Sequence, residues 1–112
     1  MARVRQASEP TTCQEAEPFA LRVLDDSMTP EFDVGCIIII DPSGVARDGA
    51  FVLARCGDAH VFRQLRSRGD GWCLVALNDA YPALAVRAGA VTIQGVIVER
   101  AGTRRHYHKR YD

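Results

Sequence analysis

Lysine is almost missing from this chain: among its 14 basic side chains only Lys109 is a lysine, near the end of the 112 residues. Histidine is scarce too, at 3. Both shortages bear on serine chemistry, because a serine hydroxyl needs a base, usually a histidine or a neutral lysine. Long apolar runs are lacking: none approaches the ~20 residues that a membrane-spanning helix requires, so no membrane association is expected. The opening Met1-Ala2-Arg3-Val4-Arg5 leads into Gln, Ser, Glu and Pro, not into an apolar signal core, so secretion is not expected either. Cys13, Cys36, Cys56 and Cys73 form no C-x-x-C pair. They read as small hydrophobes in a reducing, cytoplasmic compartment, with no metal and no cofactor implied. Internal repeats and low-complexity tracts are also lacking.

What is present suits one small domain. With 47% hydrophobic residues, a chain of this length buries roughly 60–70% of its unfolded surface without a disulfide or metal staple. The formal net charge of +0 hides an asymmetry: residues 1–60 carry 10 acids and 5 bases, residues 61–112 carry 9 bases and 4 acids. The positive excess peaks in Arg104-Arg105-His106-Tyr107-His108-Lys109-Arg110. Arg104, Arg105, Lys109 and Arg110, with an interleaved tyrosine, are candidates for nucleic-acid contact. The plainer reading is a solvated terminus, and balanced overall charge argues against a domain built mainly to hold nucleic acid.

The pattern along the chain is β. Residues 1–18 are polar and read as a flexible segment, with Thr12-x-x-Glu15 as a possible single capped turn ended by Pro18. Alternation predicts a strand over Phe19–Leu24. The continuous run Cys36–Ile40 predicts one buried on both faces or paired with another chain. Ala50–Cys56 and Ala59–Leu65 are predicted strands joined by a Gly57-Asp58 turn. Gly69-Asp70-Gly71 leads into Trp72–Leu77, residues 78–82 read as a loop, and a last strand spans Ala90–Glu99 with a bulge at Gly95. Sustained helical periodicity is missing, so the expected fold is mainly β, a curled antiparallel sheet or half-open barrel with little helix. The organisation is a flexible 1–18, a domain over 19–100 and a basic tail over 101–112.

Ser27 is the candidate centre of function. It sits in Asp25-Asp26-Ser27-Met28-Thr29-Pro30, a tight turn feeding a strand, which is a way to present a nucleophilic hydroxyl. Several blocks follow in order: Gly35 with the apolar strand ending in Asp41, Asp48-Gly49-x-x-Val52-x-Ala54, Phe62-Arg63-Gln64-Leu65, Asn78-x-x-Tyr81-Pro82 and Gly95-Val96-Ile97. Together, from about Phe19 to Arg100, they resemble the C-terminal peptidase domain of the LexA family, which includes phage repressors and UmuD-type mutagenesis proteins. The resemblance implies a LexA-like fold that usually dimerises, and a serine–lysine dyad that typically cuts its own chain. It places the nucleophile at Ser27, with Asp26, Met28 and Pro30 beside it, and the base at position 63. That position is arginine here. Asp25 likewise replaces the glycine usual before Asp-Ser-Met, and Cys36 the aspartate usual after Gly35.

The exchange at position 63 has a physical consequence. A lysine in an apolar pocket loses its proton, since desolvation lowers its pKa by up to ~3–5 units. Arginine keeps its charge even when buried, so Arg63 can donate hydrogen bonds to Ser27 but cannot take its proton. Other bases are poorly placed: Lys109 lies on the tail, and His60, three residues from Arg63, points to the opposite face of its strand. No Ala-Gly or Cys-Gly pair precedes Ser27, and no helix-turn-helix pattern fits before Phe19. The expected function is a catalytically impaired, dimerising regulatory or binding module. Its protein partner would be a repressor, a RecA-like filament or a repair polymerase. The alternatives are an active serine peptidase with an unanticipated base, and nucleic-acid contact through the tail.

Overall fold

Glycine turns and β-branched runs translate into one antiparallel sheet. The computed structural model describes residues 17–87 and 89–111; the Thr12-x-x-Glu15 capping pattern and most of the expected flexible segment lie outside these residues. Strands β1 (Phe19–Arg22), β2 (Ile37–Asp41), β3 (Phe51–Cys56), β4 (Ala59–Arg68), β5 (Gly71–Val75), β6 (Leu84–Ala85), β7 (Val91–Ala101) and β8 (Lys109–Arg110) follow in chain order. The spatial order is β1-β2-β7-β3-β4-β5-β6, with β8 added to β7. The sheet curls without closing, and the described residues hold no α-helix, only a 3-10 turn at Arg105–Tyr107. The mainly-β expectation therefore stands.

The β3–β4 hairpin turns where the sequence says it should. Gly57 has φ of +63°, a conformation open to glycine at little cost. Strand β4 runs to Arg68, beyond the expected Leu65, because Gln64–Arg68 pair with β5. Strands β6 and β8 have 2 residues each, too short to show any alternation in the sequence.

Two apolar clusters hold the sheet. Val23, Met28, Phe32, Cys36, Ile38, Ile40, Leu53 and Ile97 form one; Val52, Ala54, Leu65 and Leu74 form the other. Successive residues of β3 thus serve opposite faces, as strand alternation requires. The run Cys36–Ile40 behaves differently from the expectation of burial on both faces. Cys36, Ile38 and Ile40 are buried, whereas Ile37 and Ile39 are half-exposed. Strand β7 lies between β2 and β3, and register shifts against both leave Val98 and Gln94 as extra residues. The bulge is thus beside Gly95, not at it. Gly95 has a packing reason instead: a Cβ there would stand 2.4 Å from Cγ2 of Ile40, so the β2–β7 contact admits no side chain.

Residues 101–111 depart most from expectation. The segment does not trail into solvent; it folds back so that β8 pairs with Glu99 and Arg100 of β7. Tyr111 packs at 5.3 Å between ring centroids against both Phe32 and Phe51. Glu31 collects Nη1 of Arg100 at 3.1 Å, Nζ of Lys109 at 2.9 Å and the Tyr111 hydroxyl at 2.7 Å. Glu99 takes Arg110 at 3.1 Å and also pairs with His108. Glu31, an acid of the first half, thus neutralises Arg100 and Lys109 of the second, which composition alone does not reveal.

Burial works to raise the Glu31 pKa, but the hydrogen bonds from Tyr111 and Lys109 and the charges of Lys109 and Arg100 outweigh it and leave it lowered. A carboxyl with a depressed folded-state pKa stabilises above its unfolded value, and that stabilisation is lost as pH falls through the folded one. The clasp should therefore loosen only below about pH 4.5, the ordinary glutamate value. Its marker is the Tyr111 amide, bonded to the Val98 carbonyl at 2.8 Å. Glu31→Gln is expected to speed exchange of that amide by about tenfold at neutral pH, roughly one charged hydrogen bond. Unchanged exchange would show that the aromatic packing alone holds the segment.

Candidate functional site

The turn that carries Ser27 is built by its own side chains. Asp25 Oδ1 accepts the Ser27 amide at 3.1 Å and the Ser27 hydroxyl at 2.7 Å, the local closure that aspartate favours. Thr29 N–H bonds to the Asp26 carbonyl at 3.2 Å and Phe32 N–H to the Met28 carbonyl at 2.9 Å. Met28 is wholly buried and anchors the turn to the first cluster. Pro30 is exposed and follows a cis peptide bond. The loop after β5 closes the other side: Asn78 N–H reaches the Ser27 carbonyl at 3.0 Å and Asn78 Nδ2 the Asp26 carbonyl at 3.1 Å. The Tyr81 hydroxyl donates to Asp26 Oδ1 at 2.6 Å, and this bond pushes the phenol above its ordinary value.

Arg63 meets the serine from β4. Its Nη1 donates to Ser27 Oγ at 2.9 Å and to its neighbour's carbonyl, Phe62 O, at 2.8 Å. The guanidinium carbon lies 5.4 Å from the centre of the Tyr81 ring. Ser27 is 1% exposed and Arg63 9%. The hydroxyl therefore accepts from a guanidinium and donates to a carboxylate, so its proton faces Asp25. No carboxylate forms a direct ion pair with Arg63 among the described residues, and its Nε is buried with no partner.

Beside this clamp runs a cleft of about 320 Å³, between Leu21–Asp25 on one side and His60–Arg63 on the other. Strand β5 accompanies β4 only from Gln64 onward, so the outer edge of residues 59–63 has no strand partner among the described residues. Strand β1 ends the sheet on the opposite side.

Position 63 and Ser27, 36 residues apart, are brought within hydrogen-bond reach of each other. His60 makes no hydrogen bond to Ser27 among the described residues. Lys109 does fold back, yet its ammonium is bound to Glu31 rather than offered to the serine. Of the four tail residues considered for nucleic acid, Lys109 and Arg110 are tied to Glu31 and Glu99, while Arg104 and Arg105 remain exposed. The direct contact of Asp25 with the hydroxyl and the brace from Asn78 were not foreseen. Asp25 left a signal, an aspartate two residues before the serine, but Asn78 needed the tertiary path of the chain.

A model of the peptidase S24-like family matches residues 4–98. The chain is similar to the HTH-type transcriptional regulator for conjugative element SXT of Vibrio cholerae. The two are 37% identical over 86 residues, 70% of this chain and 40% of that protein. The LexA repressor of Alcanivorax borkumensis is 33% identical over 82 residues, 71% of this chain and 40% of the repressor. That of Paraburkholderia xenovorans is 29% identical over 96 residues, 82% of this chain and 44% of the repressor. The chain thus matches less than half the length of these relatives.

Proposed function

The chain belongs to the peptidase S24-like family, and from that premise we propose that it is a regulatory binding domain in which the serine chemistry is silenced. The observation that supports this is the 2.9 Å bond from Arg63 Nη1 to Ser27 Oγ. A guanidinium in that place stays protonated and can only donate, so it fills the base position without serving as a base. The one acceptor of the serine proton is Asp25, and a carboxylate is too weak a base to activate an alcohol well at neutral pH. Similarity to transcriptional regulators supports a role in gene regulation, with the domain as an interaction module. The half-exposed Ile37 and Ile39 offer an apolar stripe for pairing with a second copy.

A second reading, an active serine peptidase with Asp25 as proton acceptor, draws on the 2.7 Å contact between Asp25 and the hydroxyl. One experiment decides between them. Wild-type protein held for days at mildly acidic or mildly alkaline pH should keep its intact mass. Cleavage that disappears in Ser27→Ala would overturn the silenced reading.

A further inference from the structure

A cavity of about 660 Å³ lies between residues 33–36 and residues 102–107 of the C-terminal segment. It shares no residue with the cleft beside Ser27. One of its walls lies beyond residue 98, where the match to the peptidase family ends. Its volume falls within the roughly 300–1,000 Å³ typical of small-molecule sites. Tyr107 fixes the two walls to each other. Its hydroxyl accepts the Asp33 N–H at 2.7 Å, and Arg100 Nε donates to its carbonyl at 2.8 Å. The Arg100 guanidinium also lies 4.1 Å from the centre of its ring. Gly102 makes room for that ring, because a Cβ there would stand 2.9 Å from Tyr107 Cδ2. The cavity thus has its shape before anything enters it.

The polar side chains around it are unengaged. Those of Thr103, Arg104 and His106 on one wall, and of Asp33 on the other, make no hydrogen bond or ion pair among the described residues. Lys109 and Arg110 of the same segment, by contrast, are bound to Glu31 and Glu99. A hydroxyl, a guanidinium and an imidazole within four consecutive positions offer donors to an anion. Three such groups suit the three terminal oxygens of a phosphate monoester better than the two of a carboxylate. Asp33 asks for the opposite chemistry: an ionised carboxylate only accepts, so its side of the cavity repels an anion and selects hydroxyl or amino groups. Val34, 55% exposed, adds an apolar surface beside it. We propose that this cavity binds a small phosphate monoester that carries hydroxyl or amino donors, of the nucleoside monophosphate or sugar phosphate kind. The phosphate lies on the Thr103–His106 wall and the donors meet Asp33. A ligand that spans both walls also stabilises the returned position of the C-terminal segment.

The common nucleoside monophosphates and ribose phosphate supply the probes, with the matching nucleosides, ribose and inorganic phosphate as references. Each is titrated into the full chain and read from backbone amide resonances. At least one ester is expected to bind about tenfold more tightly than both its unphosphorylated counterpart and inorganic phosphate, the scale of one charged hydrogen bond. The shifts should centre on residues 33–36 and 102–107, and exchange of the Tyr111 amide should slow. Arg104→Gln should weaken binding by about tenfold, whereas Arg105→Gln, next in the chain but outside the cavity lining, should leave it unchanged. Asp33→Asn should remove the advantage over inorganic phosphate. No binding of any ester at millimolar concentration, equal affinity for inorganic phosphate, equal losses in the Arg104 and Arg105 variants, or shifts centred elsewhere overturns the proposal. So does equally tight binding of an oligonucleotide that has internal phosphodiesters only, which would mark a general attraction of polyanions to the basic segment.

Discussion

An Arg63→Lys variant is expected to react with a fluorophosphonate serine probe about a hundred- to ten-thousand-fold faster than the wild type at mildly alkaline pH, the range that a positioned general base supplies. The scaffold for this gain is already in place. Ser27 is fixed by Asp25, Asn78 and the buried Met28, and position 63 already meets its hydroxyl. A lysine there would inherit a site only 9% exposed, where desolvation favours the neutral amine. Asp25 opposes this, because a nearby carboxylate favours the ammonium. The double variant Asp25→Gly, Arg63→Lys should therefore react faster than Arg63→Lys alone. Ser27→Ala in either background should abolish labelling. Folded single and double variants that label no faster than wild type would show that the base position is not the cause of silence.

Phe32→Ala should lower stability by about 3–5 kcal/mol, the usual cost of emptying a buried phenylalanine site. The ring is fully buried. It meets Phe51 at 5.0 Å and Phe62 at 4.8 Å, both edge-to-face, and Tyr111 at 5.3 Å. Such aromatic pairs contribute about 0.5–1.5 kcal/mol each beyond area burial. Phe32 also closes the Ser27 turn through its amide, so one residue joins that turn to β3, β4 and the returning C-terminal segment. Against a typical total of about 5–15 kcal/mol, the loss leaves the domain marginal. With a urea m-value of about 1–3 kcal/mol/M, the midpoint should fall by more than 1 M. A loss below about 1.5 kcal/mol would mean that the cluster collapses to fill the space, and that the C-terminal segment is held by its ion pairs.

These two positions illustrate what was legible in advance. Period-2 alternation and the Gly57 and Gly69 turns mark most strands, because they are local consequences of side-chain direction and backbone freedom. Position 63 was legible for another reason: the ordered blocks around Ser27, Asp48, Arg63 and Asn78 resemble a known domain, and the resemblance carries a residue correspondence that periodicity cannot. The return of residues 105–111 was not legible. Their basic composition suits a solvated tail, and only the fold shows Glu31 and Glu99 waiting for them, 78 residues upstream of Lys109 in the first case. A charge in a sequence has no partner until the chain brings one within a few ångströms.

By itself, then, the sequence determined a mainly β domain of the LexA-like kind, with a serine on a tight turn and an arginine where a lysine is usual, because residue type and short-range spacing decide those features. Tertiary structure decided the rest. It placed the Ser27 hydroxyl between Arg63 and Asp25, left Arg63 Nε buried without a partner, and tied the basic C-terminal segment to Glu31 and Glu99. The physical reason is the same in each case. Hydrogen bonds and ion pairs act over about 3–4 Å, and only folding brings residues distant in the chain that close.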